Sequence, residues 1–368
     1  MTDPMQRALE LAREALGTTS PNPAVGAVVV KDGETVGEGA TQPPPGDHAE
    51  VVALKQAGER ARGATLFVTL EPCCHDGRTP PCTGAIIAAG VAEVRYAIDD
   101  PNPEVAGKGR LALEAAGIAV ASGQGADEAR RINEAFLKHR TTGLPFVIAK
   151  FAASLDGRIA AASGDSRWVS GPETREWAHG LRTKVDAILV GSSTVVIDDP
   201  QLTARLGGVD AARQPLRVVV DSRGRTPPMA RVLGGPAGAL VATLETSPDP
   251  WRASIRAAGA DVVPFAAGPG GSVDLEALLR ELAAREVLSV LVEGGGVILG
   301  AFFDAGLVDK LHAVLAPMII GAGDAPAAVA GRGAYRMADA LRLRDITVER
   351  LGEDVLVTGY PEYAQAKE

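Results

Sequence analysis

Cysteine is scarce in this chain of 368 residues, which holds three. Three thiols cannot pair completely, so no disulfide framework is expected, and a reducing compartment keeps all three free. Long apolar runs are missing too: none reaches the roughly 18–20 residues that a bilayer-spanning helix needs. Nor does positive charge dominate. Lys and Arg number 37 against 46 Asp and Glu, a formal charge of −9. That balance argues against a surface built to grip nucleic acid or an anionic membrane, while leaving room for a local basic pocket. Met1-Thr2-Asp3-Pro4 lacks the basic-then-apolar order of a secretion signal, and no internal repeat is visible. What is present, 46% apolar and 23% charged residues, is ordinary for a globular protein and too apolar for global disorder. The length predicts two domains, and the expected setting is the cytoplasm.

The first third alternates helical and extended patterns. Met5, Ala8, Leu9, Ala12 and Leu16 recur at helical spacing over 4–16, Val25–Val30 reads as a buried strand, and Lys31-Asp32-Gly33-Glu34 as a hairpin turn. Helices are predicted near 48–60, 82–89, 107–116 and 126–140, with strands at 64–70, 92–98 and 118–121. Such alternation predicts helices on the faces of one sheet. The pattern breaks at Thr141-Thr142-Gly143-Leu144-Pro145, after which a second complete set begins. Strands are expected at 146–152, 186–191, 216–220, 238–242, 288–292, 309–316, 345–350 and 354–359. Helices are expected near 172–183, 249–258, 274–285 and 296–305. The Pro/Gly-rich stretches 234–238 and 267–271 read as surface loops.

Three short pieces in the first half carry chemistry: His48-Ala49-Glu50, Glu71-Pro72-Cys73-Cys74-His75 and Pro81-Cys82. A catalytic zinc needs three protein ligands and one open position, which His and two Cys satisfy. Cys82 opens a helix, where thiolate is favoured over thiol. Glu50, two residues from His48, suits the acid/base role beside such a metal. Singly, each piece is commonplace, and buried free cysteines are usually inert. Together they follow the order of the deaminase signature H-x-E…P-C-x-x-C. The match departs at one point: the second Cys of that signature would fall at 76, which is Asp. Cys82 is the preferred third ligand and Cys74 the alternative.

In the second half, Gly294–Gly296 lies between a strand and a helix, where glycines let backbone N–H groups approach a pyrophosphate. Lys150 in an apolar strand needs a partner or a ligand and is expected to face an active site. Asp221, at a strand end, would by itself favour a free ribose 2′-OH and hence NADH. Ser222, Arg223 and Arg225 tilt the expectation to NADPH, since they can bond a 2′-phosphate.

Ser20-Pro21-Asn22-Pro23-Ala24-Val25-Gly26, the His48 motif and the segment Glu71–Cys82 resemble the bifunctional riboflavin-biosynthesis deaminase/reductase family, which has the lengthened Cys–Cys segment seen here. Lys150–Arg158, Gly191–Thr194, Asp198–Thr203 and Val292–Gly296 resemble the same family's reductase half. The resemblance implies an α/β protein of two domains. Residues 1–143 would form a cytidine-deaminase-like α/β/α sandwich, and 144–368 a dihydrofolate-reductase-like α/β domain. It implies zinc on His48, Cys73 and Cys82, Glu50 as proton shuttle, and Asn22, His75 and Arg78 on the ring and phosphate of a pyrimidine ribotide. It further implies NADPH contacts at Ala152, Trp168, Thr194, Asp198, Ser222, Gly295 and Gly296. Substrate contacts would fall at Ser166, Arg182, Leu202, Arg205 and Glu293; Lys150, from its place in an apolar strand rather than from the resemblance, is expected to be catalytic. Without the resemblance, Trp168 reads equally as core and Arg182 as an exposed helix charge. Expected partners are small pyrimidine ribotides and further copies of the chain, with no nucleic acid and no membrane. The rival readings are a nucleic-acid deaminase with an unrelated second domain, and a zinc-stabilised binding protein, for which a fourth protein ligand is wanting.

Overall fold

A computed structural model describes residues 3–75, 80–102, 105–235 and 237–363. The chain forms two compact units, 1–144 and 145–368. Among the described residues no helix is long and apolar enough to cross a membrane.

The first unit runs α1 (Pro4–Ala15), β1 (Gly26–Lys31), β2 (Glu34–Ala40), α2 (Ala49–Ala57), β3 (Thr65–Leu70), α3 (Cys82–Ala89), β4 (Glu93–Ile98), α4 (Lys108–Ala115), β5 (Ala119–Ser122), α5 (Ala126–Ile132) and α6 (Glu134–Thr142). Helix α1 starts where Asp3 accepts a hydrogen bond from Met5 N and Pro4 takes the first turn, a favourable N-terminal arrangement. Its spaced Met5, Ala8, Leu9 and Ala12 are all buried. The sheet order is β2-β1-β3-β4-β5. β1 is antiparallel to both β2 and β3, and β4 and β5 continue the sheet parallel to β3. Asp32 and Gly33, both at positive φ, make the turn that a tight hairpin requires. Helix α2 lies so close to β2 that a Cβ on Gly39 would sit 2.4 Å from the Ala49 carbonyl oxygen. That contact sets the height of the His48–Glu50 turn above the sheet.

One expected element is split. The single helix read over 126–140 is two helices, α5 and α6, broken at Asn133. The Asn133 amide is committed elsewhere: it accepts from Ala24 N and donates to Ala24 O, each at 2.9 Å. A side chain that satisfies a distant backbone pair outweighs continued helix.

The second unit contains β6 (Phe146–Ser154), α7 (Pro172–Arg182), β7 (Ala187–Gly191), α8 (Ser192–Asp198), β8 (Arg205–Leu206), β9 (Val209–Asp210), β10 (Leu216–Val220), β11 (Ala239–Leu244), α9 (Asp249–Ala257), β12 (Asp261–Phe265), α10 (Leu275–Ala284), β13 (Ser289–Val292), α11 (Gly296–Asp304), β14 (Lys310–Ala316), β15 (Arg342–Leu351) and β16 (Asp354–Glu362). Nine strands form one sheet in the order β12-β11-β10-β7-β13-β6-β14-β16-β15. All are parallel from β12 to β14, and β16 and β15 add an antiparallel edge. The order reverses around β7, β13 and β6, and in open sheets of this kind ligands bind outside the carboxyl ends of the strands at such a reversal. Those ends carry Gly191, Asp221 and Glu293. The stretch 234–238, read as a plain surface loop, is tied inward. Arg217, 1% exposed, donates to the carbonyls of Gly234, Ala237 and Gly238.

Candidate active sites

In the first unit, three elements converge. His48 precedes α2, Cys73 follows β3, and Cys82 opens α3. Their ligand atoms lie within 4.8 Å of one another. His48 Nδ1 is 3.2 Å from Cys82 Sγ and 3.6 Å from Cys73 Sγ. A tetrahedral zinc with Zn–N near 2.05 Å and Zn–S near 2.3 Å places nitrogen and sulfur about 3.5 Å apart, so the triad already has the spacing of a zinc site. The chain builds it with backbone as well. Cys82 N donates to Cys73 Sγ at 3.3 Å, and Thr83 N donates to Cys73 O at 3.1 Å.

The electrostatics match a cation. The Cys73 thiol is pulled down to about 4 by hydrogen bonds from Cys82 and His48, against the upward push of burial. Cys82 is driven up by sharing its proton with Cys73 and by burial. Two thiols and an imidazole crowded this closely form a donor set that a divalent ion satisfies. His48 is raised, chiefly by its bond to Cys73. Glu50, 4% exposed, is pushed up to about 7 by burial and by the Cys73 charge, and its carboxyl reaches Cys82. Cys74 does not join the triad and its thiol is raised by burial.

Of the other expected residues here, Asn22 lies in the turn before β1, where its N donates to Thr19 O at 2.8 Å. No hydrogen bond ties its side chain to the triad among the described residues. His75 is half-buried two residues beyond Cys73, and Arg78 lies outside the described residues. One organiser escaped the sequence reading. Glu71, buried beside Pro72-Cys73, accepts from Gly107 N at 3.0 Å and Arg110 N at 3.1 Å, so it caps α4 and anchors the ligand loop. The signal was available: a carboxylate closing a buried strand needs donors.

In the second unit, a cavity of about 540 Å³ opens at the carboxyl ends of the parallel strands. It is lined by Ser166, Thr194, Asp198, Ser222, Gly295 and Gly296 from the expected set, together with Arg223 and Arg225. Ser166 Oγ donates to Asp198 Oδ1 at 3.2 Å. A Cβ on Gly296 would meet the Ala327 carbonyl oxygen at 2.2 Å, so the first position of α11 admits only glycine. Gly270, Gly271 and Ser272 also line the cavity, so the Pro/Gly-rich stretch 267–271 is more than a surface loop. Ala152 and Trp168 are not among the lining residues. Ala152 is half-buried in β6, and Trp168 is 66% exposed with the Arg175 guanidinium 4.5 Å over its ring.

A second polar group gathers around Glu293, which directly follows β13. Arg182, from the end of α7, grips it in a bidentate pair at 2.8 and 2.7 Å and also donates to Thr203 O at 3.0 Å. The two side chains are 16% and 5% exposed. Burial pushes the Glu293 carboxyl up, but Arg182 and Lys150 hold it down at about 2. Lys150 is the converse: desolvation lowers its proton affinity, Glu293 raises it, and Arg182 opposes. Leu202 sits buried at φ 54, an uncommon backbone for a non-glycine. Arg205 Nε donates to Thr203 Oγ1 at 3.0 Å. Lys150, Arg182, Glu293 and Thr203 therefore form one charged cluster assembled from distant parts of the chain.

The residues that this geometry brings together coincide with known proteins along nearly the whole chain. The RibD C-terminal domain matches residues 145–357, and the cytidine and deoxycytidylate deaminase zinc-binding region matches residues 2–98. The riboflavin biosynthesis protein RibD of Escherichia coli is 43% identical over 361 residues, covering 95% of this chain and 96% of that protein. The solved structure of Acinetobacter baumannii RibD is 40% identical with a TM-score of 0.88, covering 98% of each chain. A Thermotoga maritima diaminohydroxyphosphoribosylaminopyrimidine deaminase/5-amino-6-(5-phosphoribosylamino)uracil reductase is 36% identical with a TM-score of 0.84, covering 97% of each.

Proposed function

The chain belongs to the RibD family of bifunctional deaminase/reductases of riboflavin biosynthesis, and on that premise we propose which residues carry each reaction. Zinc and NADPH are its cofactors and small pyrimidines its substrates. We assign residues 1–143 to deamination of 2,5-diamino-6-ribosylamino-4(3H)-pyrimidinone 5′-phosphate, and 144–368 to reduction of the ribosyl chain to ribityl. The observation that carries the reading is the His48–Cys73–Cys82 convergence beside a buried carboxyl.

His48, Cys73 and Cys82 hold zinc, which when bound supplies the Lewis acidity that makes water a nucleophile near neutral pH. The Glu50 carboxyl takes a proton from the attacking water and passes it to the amine nitrogen, which leaves as ammonia. Asn22, His75 and Arg78 orient the ring and phosphate.

In the second unit, NADPH supplies the hydride that reaches the sugar C1′. The N–H groups of Gly295–Gly296 would receive the pyrophosphate, and Ala152, Trp168, Thr194 and Asp198 would contact the dinucleotide. Ser222, Arg223 and Arg225 take the 2′-phosphate. Arg205, Ser166 and Leu202 hold the ribotide, and the Arg182–Glu293 pair fixes the position of Lys150. Lys150 Nζ delivers a proton to the sugar ring oxygen as its bond to C1′ breaks, so the incoming hydride is balanced by one proton.

Further copies of the chain complete the reading, in the cytoplasm. Edge strand β15 exposes Ile346 (56%) and Val348 (65%), a surface that natural proteins usually cover. The central test of the deaminase half is Glu50→Gln. Zinc content is expected to stay normal while ammonia release falls by about 10²–10⁴-fold; normal release would overturn the assignment.

A further inference from the structure

An acidic residue at a strand end beside a dinucleotide cavity normally accepts the ribose 2′-OH and selects the unphosphorylated cofactor. Asp221 occupies that place at the end of β10, yet it is 0% exposed and absent from the cavity wall, whereas Val220 and Ser222 on either side line it. Its carboxylate is consumed by its own loop. Oδ1 accepts from Arg223 N at 3.2 Å, and Oδ2 accepts from Arg225 N at 2.7 Å, Thr226 N at 2.6 Å and Thr226 Oγ1 at 2.7 Å. Four donors converge on the carboxylate, three of them on Oδ2, and its complete burial keeps it from a ribose hydroxyl in the cavity. Its main chain is tied as well, donating to Ala242 O at 2.8 Å and accepting from Thr243 Oγ1 at 2.7 Å.

The loop held this way carries two arginines to the cavity wall. The Arg223 side chain is exposed and makes no ion pair among the described residues. Among the described residues, the Arg225 side chain donates to the hydroxyls of Ser192 and Ser193, at 2.9 and 3.1 Å, and has no carboxylate in salt-bridge range. Two uncompensated cations on a tightly tied turn are suited to a dianion. We propose that Asp221 is a positioning residue for NADPH selectivity: its buried carboxylate shapes the 222–226 loop so that Arg223 and Arg225 meet the 2′-phosphate. The acidic residue that usually excludes the phosphorylated cofactor here favours it, without touching it. The inference rests on the assignment of the 2′-phosphate to Arg223 and Arg225, and it deepens that assignment.

The test is equilibrium binding of NADP⁺ and NAD⁺ to the full chain by calorimetry, independent of turnover. Arg223→Ala with Arg225→Ala is expected to weaken NADP⁺ by at least about tenfold and NAD⁺ by less than about twofold. Asp221→Asn, which turns an amide donor onto the loop's own N–H groups, is expected to weaken NADP⁺ by about tenfold while NAD⁺ stays within about twofold. Tighter NADP⁺ and weaker NAD⁺ would show a ribose-contacting carboxylate and overturn the proposal. Equal loss of both would reduce Asp221 to scaffolding and overturn it too. If the arginine variant keeps its selectivity, the 2′-phosphate assignment itself falls; if only Asp221→Asn keeps it, this proposal alone falls. Should Asp221→Asn not fold, Thr226→Val removes one of the four donors and is expected to shift selectivity the same way by a smaller factor; unchanged selectivity there refutes the proposal.

Discussion

Glu293→Gln isolates the buried charge cluster of the reductase unit. The native carboxyl is held from 4.5 down at about 2, and each tenfold change in proton affinity is worth about 1.4 kcal/mol, so the net of burial and its cationic neighbours favours the ionised form by about 3 kcal/mol. Breaking a buried pair from one side costs a similar amount, about 3–5 kcal/mol, because the remaining charge is stranded. Here that charge is Arg182, 16% exposed, left with the Thr203 carbonyl. The expected loss is therefore about 3 kcal/mol at pH 7. The sign follows from the depressed folded value. Stability from Glu293 is complete above its unfolded value of 4.5 and disappears as pH falls through about 2, so the gap between wild type and variant narrows across that window. The assay is urea unfolding followed by tryptophan emission, since Trp168, Trp177 and Trp251 all lie in the second unit and report on it alone. Adding Arg182→Met to Glu293→Gln should recover part of the loss, because no unpaired guanidinium remains. A variant within about 0.5 kcal/mol of wild type, or strictly additive single and double variants, would refute the coupling.

Cys82→Ala is expected to lose zinc and Cys74→Ala to retain it; metal analysis of both proteins decides, and the reverse outcome makes Cys74 the ligand. Gly39→Ala forces a Cβ to 2.4 Å from the Ala49 carbonyl, a clash costing about 1–3 kcal/mol. It should lower the melting temperature and weaken zinc binding together, since the displaced turn carries His48. Ile346→Lys with Val348→Lys should shift the sedimentation of the full chain to the monomer, and an unchanged assembly would place the interface elsewhere.

The elements that dominate each unit were legible because their patterns are strong and local. The helix at 82–89 and the strands around 146–154, 187–191 and 289–292 follow from apolar runs bounded by Gly and Pro. Helix α8 was not read, because Ser192–Asp198 is short and its Val195, Val196 and Ile197 favour strands; β12, with a Pro inside it, was missed for the reason given by proline's effect on ladders. The zinc triad was readable as a motif, but its tightness depends on the Cys82 N–H bond to Cys73 and on Glu71, which motifs do not display. Long-range pairing was the least visible. Nothing near Lys150 in the sequence indicates that its neighbours are Arg182 and Glu293. Asp221 illustrates the limit best: its position in the chain suggests one cofactor, and the four donors around its carboxylate remove it from the cofactor altogether.

If two separate sites on one chain perform the successive reactions, Glu50→Gln abolishes the first and spares the second. The full-length variant, shown to be folded, is supplied with the already deaminated ribotide and NADPH while ammonia and cofactor absorbance are followed together. NADPH is expected to be oxidised at close to the wild-type rate, with no ammonia released when the diamino ribotide is supplied instead. Parallel loss of both activities in a folded Glu50→Gln protein would contradict separate sites.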